Sequence, residues 1–393
     1  MTLANPGTPA WLRTHNDRVA FQLMLEHGAL SRSQLSALSG MSKPTAGQMI
    51  SRLEQAGLVE AVGENTTSRG PNAVLYGVRR GALTGVAVNI LGHEIEATVT
   101  DPLGTTYPVV TIPVSASGRT PEGDLLHAIE AASAAAEMDP SSVGALAIGV
   151  QGAVDAGADR LSFADTLRDW PLTGSRARIE AATGAEVILD NDVNLAAVAE
   201  RASGAIDHDD DFAYLWLGNG LGMGLDLGGT IHRGATGSAG EIGYLEVPRS
   251  ALDLDPGAMD FTDLLGREAI VALLGGHPDS ELADVLPASL AGLPVLDEVA
   301  ARVALLVAPV LALYDPAVVV LGGPTGFAGG PELAERVQQR IDAVPPPRNA
   351  TRPLGPRTRI ATAAVVERPV LAGASRLLVA NIRALLDQTI TSG

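Results

Sequence analysis

Two rhythms of apolar residues divide the chain. Through the first eighty residues the spacing is helical and broken at short intervals. Over 15–27, Val19, Ala20, Leu23 and Met24 fall on one helical face, and Gly28 offers a stop. In "SRSQLSALSG" (31–40), Ser31 and Gln34 have the spacing of a capping box, Leu35 and Leu38 point inward, and Gly40 closes the turn. The stretch "GMSKPTAGQMISRLEQAGLV" (40–59) holds a complete helix. Ser42 serves as N-cap, Pro44 sits in the first turn where a missing N–H costs nothing, Ala46, Met49, Ile50 and Leu53 recur at helical spacing, and Gly57 ends it. "LVEAV" and "AVLYGV" then alternate as two strands around the polar tip "GENTTSRGPN", which predicts a hairpin.

From Thr84 the pattern changes. "TGVAVNILGHEIEATVTDPLGTTYPVVTIPV" reads as three strands of a meander, followed by a helix near 121–138, a buried strand "GALAIGV" and the turn "QGAVD". A similar arrangement returns with "FAYLWLGNGLGMGLDLGGTIHRG", a helix near 297–313, the buried strand "AVVVLGG" and a final helix after "AGASRLL". The repetition predicts a duplicated, two-lobed α/β body with a cleft between its lobes. The expected domains are 1–80 and 81–393, the latter split into a small lobe (about 84–204 plus the C-terminal helix) and a large lobe (about 205–375).

Composition narrows the chemistry. A chain of 393 residues exceeds what one core supports, and the absence of cysteine removes disulfides, thiolate metal sites and cysteine nucleophiles. No uninterrupted apolar run is long enough to span a membrane, and the N-terminus lacks the apolar core of a signal peptide, so a cytoplasmic protein is expected. The net charge of −18 is uneven: residues 1–80 carry eight Lys/Arg against five Asp/Glu, giving +3, which leaves −21 for the remainder. An acidic body repels nucleic acid, so any DNA must be held by the first eighty residues.

The sole lysine of the chain, Lys43, opens the third helix, whose outward face is Lys43, Thr45, Gly47, Gln48, Ser51 and Arg52. A small, polar and basic face of this kind fits a major groove, where small residues permit close approach and Gln or Lys meets base edges. Helix, helix–turn–helix and hairpin in this order resemble a winged helix-turn-helix. The expected DNA contacts are Ser42, Lys43, Thr45, Gln48 and Arg52, with Arg69 on the wing reaching phosphate or minor groove. A helical protein-interaction module with a solvated polar face is the plainer alternative.

Four ordered blocks carry a more specific resemblance: "GVQGAVD" (149–155), "DNDVNLAAVAE" (190–200), "GNGLGMGLDLGGTIHRGATGSAGEIGYLEV" (218–247) and "DPAVVVLGGP" (315–324). In these the chain resembles the ROK family of repressors, open reading frames and sugar kinases, over nearly its whole length. The resemblance implies two actin-like ATPase (ribonuclease H-like) lobes, with sugar and ATP meeting in the cleft. It implies that Asp192 matches the family's catalytic base, here vestigial, and Asn191 a sugar-hydroxyl ligand, although either residue also suits the cap of the helix that follows. Glu241 keeps a carboxylate able to accept two sugar hydroxyls, while Tyr244 replaces a histidine that the family uses for both sugar and zinc. No metal or cofactor is therefore expected.

The first phosphate loop departs from the family. Where kinase members carry Asp-x-Gly-Gly-Thr-Lys, this chain has Asn89-Ile90-Leu91-Gly92-His93-Glu94, which adds a side chain and a negative charge where phosphate should approach. A later loop keeps Gly218, Gly220 and Gly222, with Asn219 in place of a usual threonine. The expectation is a homodimeric transcriptional regulator, a repressor, that holds operator DNA with its winged helix and senses a sugar or sugar derivative with a degenerate kinase body. The alternatives are a bifunctional ATP-dependent sugar kinase that also binds DNA, and a regulator driven by a protein partner.

Overall fold

The structure, a computed structural model, describes residues 8–65, 73–115, 117–343 and 358–392. The first helix, α1 (Pro9–His27), starts earlier than the apolar pattern because Thr8 caps it, accepting from the Trp11 N–H at 3.2 Å. It buries Asp17, Ala20, Phe21 and Met24, so the inward face is turned from the predicted one and Val19 and Leu23 are only half-buried. A two-residue strand, β1 (Leu30–Ser31), leads into α2 (Arg32–Ser39), where the Ser31–Gln34 capping box forms as the spacing requires. Leu35 is buried, but Leu38 is exposed, because the core of this domain does not reach its side of α2. Then α3 (Lys43–Gln55) buries Ala46, Met49, Ile50 and Leu53, the predicted set. The strands β2 (Val59–Asn65) and β3 (Ala73–Val78) pair antiparallel, and β1 adds to the free edge of β3 with Leu30 opposite Tyr76. Three helices against a three-stranded sheet make a winged helix-turn-helix. Arg69, on the hairpin tip, lies outside the described residues.

The body is built twice from one plan. In the first lobe β4 (Thr84–Ile90), β5 (Glu94–Thr100) and β6 (Val110–Pro113) form the meander, followed by α4 (Pro121–Ala135), β7 (Val143–Val150), a small hairpin of β8 (Ala153–Asp155) and β9 (Arg160–Ser162), α5 (Ser175–Thr183) and β10 (Glu186–Asn191). The linking helix α6 (Asp192–Ala202) precedes the second meander of β11 (Phe212–Leu217), β12 (Leu221–Leu227) and β13 (Thr230–Ile231). After it come α7 (Phe261–Leu265), α8 (Arg267–Leu273), α9 (Leu282–Val285), α10 (Val295–Tyr314), β14 (Val318–Gly322), α11 (Gly323–Ala343), β15 (Arg359–Thr362) and α12 (Pro369–Ser392). The sheets run β10-β7-β4-β5-β6 and β15-β14-β11-β12-β13. In each, the meander pairs antiparallel and the two later strands add in parallel, so the strand logic is the same in both lobes.

Two helices fix how the lobes meet. Glycines bring α6 onto the second sheet: a Cβ at Gly222 would stand 2.8 Å from Val193 Cγ2, and one at Gly224 2.8 Å from Ala197 Cβ. The last helix, α12, starts at Pro369, ahead of its predicted start, and returns to the first lobe, packing on β4, β7 and α6. Its contact with α6 is close enough that a Cβ at Gly373 would fall 1.8 Å from the Leu195 carbonyl oxygen. By length and apolar content 369–391 passes for a membrane span, which the sequence pattern alone did not show; half of that stretch is buried inside the protein itself. The core that α12 completes runs on into the winged helix, joining Leu378, Ile382, Leu386 and Ile390 to Ala20, Phe21 and Met24.

Candidate functional site

The exposed side of α3 forms a shallow basic depression. Lys43, Pro44, Gly47, Gln48, Ser51, Arg52 and Gln55 line it together with Arg32 of α2, around a volume of about 430 Å³. Of the predicted contacts, Lys43 and Gln48 stand free on this surface. Ser42 and Thr45 are engaged with one another at the helix start: the Ser42 hydroxyl accepts from the Thr45 N–H at 3.3 Å and lies 2.8 Å from Thr45 Oγ1. Arg52 turns back toward the protein, donating to Asp17 of α1 from Nε at 2.7 Å and from Nη2 at 2.6 Å, with a third of its side chain exposed. Arg32 carries no sequence signal that would mark it. Its Nη2 donates to the Tyr76 hydroxyl at 3.1 Å and its guanidinium stands over that ring at 5.6 Å, so the side chain is held beside α3. Only the packing of α2 and β3 brings those two residues together.

A second site lies between the lobes. Asn191 ends β10 and caps α6: its Oδ1 accepts from the Val193 and Asn194 N–H groups at 2.9 and 3.1 Å, while Nδ2 donates to the Gly152 carbonyl at 3.0 Å. Asp192 follows at the first turn and accepts from the Val193 N–H at 2.9 Å. Part of the residue faces the cleft, but its carboxyl group is surrounded by protein. Burial pushes its pKa up to about 7, against the pull of the Val193 N–H, and the nearby carboxylates of Glu241 and Asp190 add to the rise.

Glu241 comes from the other lobe, on a segment pressed against β12. The Met223 N–H donates to the Gly240 carbonyl at 2.9 Å, and Gly240, at φ 100°, has no room for a Cβ, which would fall 1.9 Å from the Met223 oxygen. Burial raises the Glu241 pKa as well. Tyr244, three residues on, is raised by burial and then by Glu241, Asp165 and Asp260. The Glu241 carboxylate thus lies near Asp192 of the opposite lobe and near Tyr244, with Asn191 adjoining Asp192. Phe163, which no sequence motif marked, joins them: its ring stacks on Tyr244 at a centroid distance of 4.9 Å and an interplanar angle of 28°. Beside the cleft Arg233, past β13, donates to Asp190 of β10 from Nε at 3.1 and 3.2 Å, tying one lobe to the other.

The two glycine-bearing turns differ. Gly218 and Gly220 form the β11–β12 turn, closed by the Gly218 N–H on the Gly220 carbonyl at 3.2 Å, whereas Gly222 lies within β12 and accommodates α6. At the other turn the Leu91 N–H donates to the Glu94 carbonyl at 2.9 Å and closes the β4–β5 hairpin. Asn89 is buried and donates to Glu96 at 3.0 Å, and Glu96 in turn holds Arg368 at 2.9 Å.

Known proteins share this plan. Residues 85–263 match the ROK family. A putative xylose repressor of Caldicellulosiruptor sp. (strain Rt8B.4) is 22% identical over 356 residues, spanning 84% of this chain and 88% of that protein. A glucokinase of Halalkalibacterium halodurans is 30% identical over 217 residues, half of this chain and 64% of the enzyme. Among solved structures, a ROK family transcriptional regulator, a homolog of the E. coli MLC protein, superposes with a TM-score of 0.66 at 20% identity, covering 97% of this chain and all of that one. That last likeness includes the winged helix as well as both lobes. With its duplicated lobes and the ordered blocks around Asn191 and Glu241, this chain is similar to ROK family proteins, and the family match runs over residues 85–263.

Proposed function

We propose that the protein is a cytoplasmic, homodimeric transcriptional repressor that holds operator DNA with α3 and the wing and senses a sugar or sugar derivative in the interlobe cleft. One observation carries the reading: a winged helix with a free basic face shares a continuous core with a body whose cleft gathers hydrogen-bonding groups from both lobes. The resemblance to a xylose repressor along most of both chains supports the regulatory role.

In this reading Lys43 and Gln48 meet base edges in the major groove, Ser42 and Thr45 lie close to the backbone at the helix start, and Arg69 reaches phosphate from the wing. The acidic body stays away from DNA. Sugar hydroxyls replace water on Glu241 and Asp192, whose carboxyl oxygens keep capacity for further hydrogen bonds, beside the capping Asn191. A ligand that touches both lobes favours the closed arrangement, and differential affinity for closed and open forms biases the whole molecule. The route to DNA is physical: α6 carries Asn191 and Asp192, α12 packs along α6, and α12 in turn packs on α1 beside the winged helix.

A sugar kinase is the second reading, and the Asp192 pKa near 7 favours it, since that value suits a general base. The phosphate side opposes it. The Leu91 N–H is spent on the hairpin, and Glu94 puts a carboxylate where the kinase members carry a lysine. Anisotropy titration of operator DNA selected from a random pool, with and without sugars, tests the proposal. Failure to select any sequence above background sinks it, and sugar-dependent ATP turnover would favour the kinase.

A further inference from the structure

We infer that Phe163 and Tyr244 form an aromatic subsite beside the polar groups of the cleft, selecting sugars that carry a second ring over the free monosaccharide. The inference rests on the sugar-sensing reading and names the effector's class within it.

Phe163 follows β9 in the first lobe, and Tyr244 closes a short turn in the second, so their stack spans the cleft. Both residues are exposed, Phe163 at 48% and Tyr244 at 54%. An exposed pair of aromatic faces beside polar groups offers a stacking surface to a ring. Phe163 also holds a backbone φ of +55°, a conformation that a bulky residue adopts only when its surroundings impose it. Those surroundings are part of the sugar site. Gly152, at φ +132°, lies so close under the loop that a Cβ there would stand 2.7 Å from the Ser162 oxygen and 2.9 Å from the Phe163 oxygen. The carbonyl of the same Gly152 accepts from Asn191 Nδ2. The position of the Phe163 ring is thereby set against the polar floor.

The division of labour follows from chemistry. Asn191, Asp192 and Glu241 offer acceptors and a donor suited to the hydroxyls of one sugar ring. The aromatic pair stands beside Glu241 and offers flat apolar faces to whatever the ligand carries beyond its first ring. At 4.9 Å between centroids the two rings leave no room for a ligand between them, so the second ring stacks on their outer faces. A methyl group covers little of that surface, whereas an aryl ring or a second pyranose covers it well.

Calorimetry on the intact protein tests this with glucose and xylose, their methyl and phenyl β-glycosides, and the β-linked disaccharides cellobiose and xylobiose. Phenyl glycosides or disaccharides should bind about ten-fold tighter than the matching methyl glycoside. Phe163→Gly removes the ring and relieves the positive φ, so it should melt no lower than the parent while losing that preference; Phe163→Trp should keep it. In Phe163→Gly the ratio of ring-bearing to methyl glycoside affinity should fall from about ten to about one. Equal affinities for methyl and ring-bearing glycosides, or a uniform loss across the panel in Phe163→Gly, overturn the subsite and leave sugar sensing intact. Glu241→Ala should abolish binding of every probe; if it does not, or if no probe binds the parent, the sugar-sensing reading falls and the subsite with it.

Discussion

Arg52 and Asp17 grip each other through two parallel hydrogen bonds, and the pair fixes α3 to α1. The very next residue of α1, Arg18, forms an ion pair with Asp387 of α12 in the body. Neighbouring residues of one helix thus face two ways, one toward α3 and one toward α12 of the body. The first expectation concerns the inner pair. Arg52→Ala should lower the melting temperature of the winged helix, at a cost of about 1–2 kcal/mol given its partial exposure. Asp17→Ala should do the same. If Arg52 acts chiefly as a brace, both variants weaken binding to all DNA sequences alike in an anisotropy assay, and Arg52→Lys fails to restore the bidentate geometry. Full operator affinity in Asp17→Ala with loss in Arg52→Ala would show direct DNA contact instead.

The outer pair should carry coupling. Arg18→Ala and Asp387→Ala are expected to retain both operator and effector binding while the effector's influence on operator affinity shrinks several-fold. Linkage requires that operator DNA then also loses its influence on effector affinity by the same factor. Paired titrations of the single and double variants measure this, and an undiminished response in the double variant would place the coupling elsewhere.

Base reading and backbone contact should separate on the α3 face. Gln48→Ala should relax sequence preference at one operator position, costing about 1–3 kcal/mol against the preferred base. Arg69→Ala, and Arg32→Ala beside α3, should weaken all sequences similarly and reduce the slope of log affinity against log salt by about 1 each. A binding-site selection repeated on each variant reads both quantities.

Asp192 gives a pH dependence of known sign. Its folded pKa, about 7, lies above that of a free carboxyl, so between about pH 4 and 7 the folded state binds more protons than the unfolded one. Its contribution therefore favours folding below the unfolded pKa and is lost as pH rises through 7. Asp192→Asn should melt higher than the parent at pH 8, by about 1–2 kcal/mol after allowing for solvent in the cleft, and should show a smaller advantage near pH 4. A difference that grows toward acid would contradict the assignment.

Phosphoryl transfer should be absent. With Mg-ATP and common hexoses, product formation is expected at background, and Asp192→Asn should not change it. Turnover that disappears in Asp192→Asn would show that the hairpin at Leu91 tolerates nucleotide.

Local rules and internal repetition make much of this protein legible from its sequence. The caps at Ser31 and Ser42 and the inward set Ala46, Met49, Ile50 and Leu53 depend only on helical geometry, so sequence spacing determines them. The strand pattern of the two meanders is equally local, and the block resemblance draws Asn191, Asp192, Glu241 and Tyr244 toward one site. What sequence spacing could not decide depends on contacts between residues far apart in the chain. Arg52 stands on the polar side of its helix in either case, and only the packing of α1 makes it a brace. Leu38 has the right spacing to face inward, yet the core does not reach it. Gly222 reads as part of a phosphate loop until α6 is seen lying against it. Phe163 sits in a loop with no periodic signal, and its partner is eighty-one positions away on the opposite lobe. Periodicity records which way a side chain points from its own backbone; what it meets there is set by the tertiary fold.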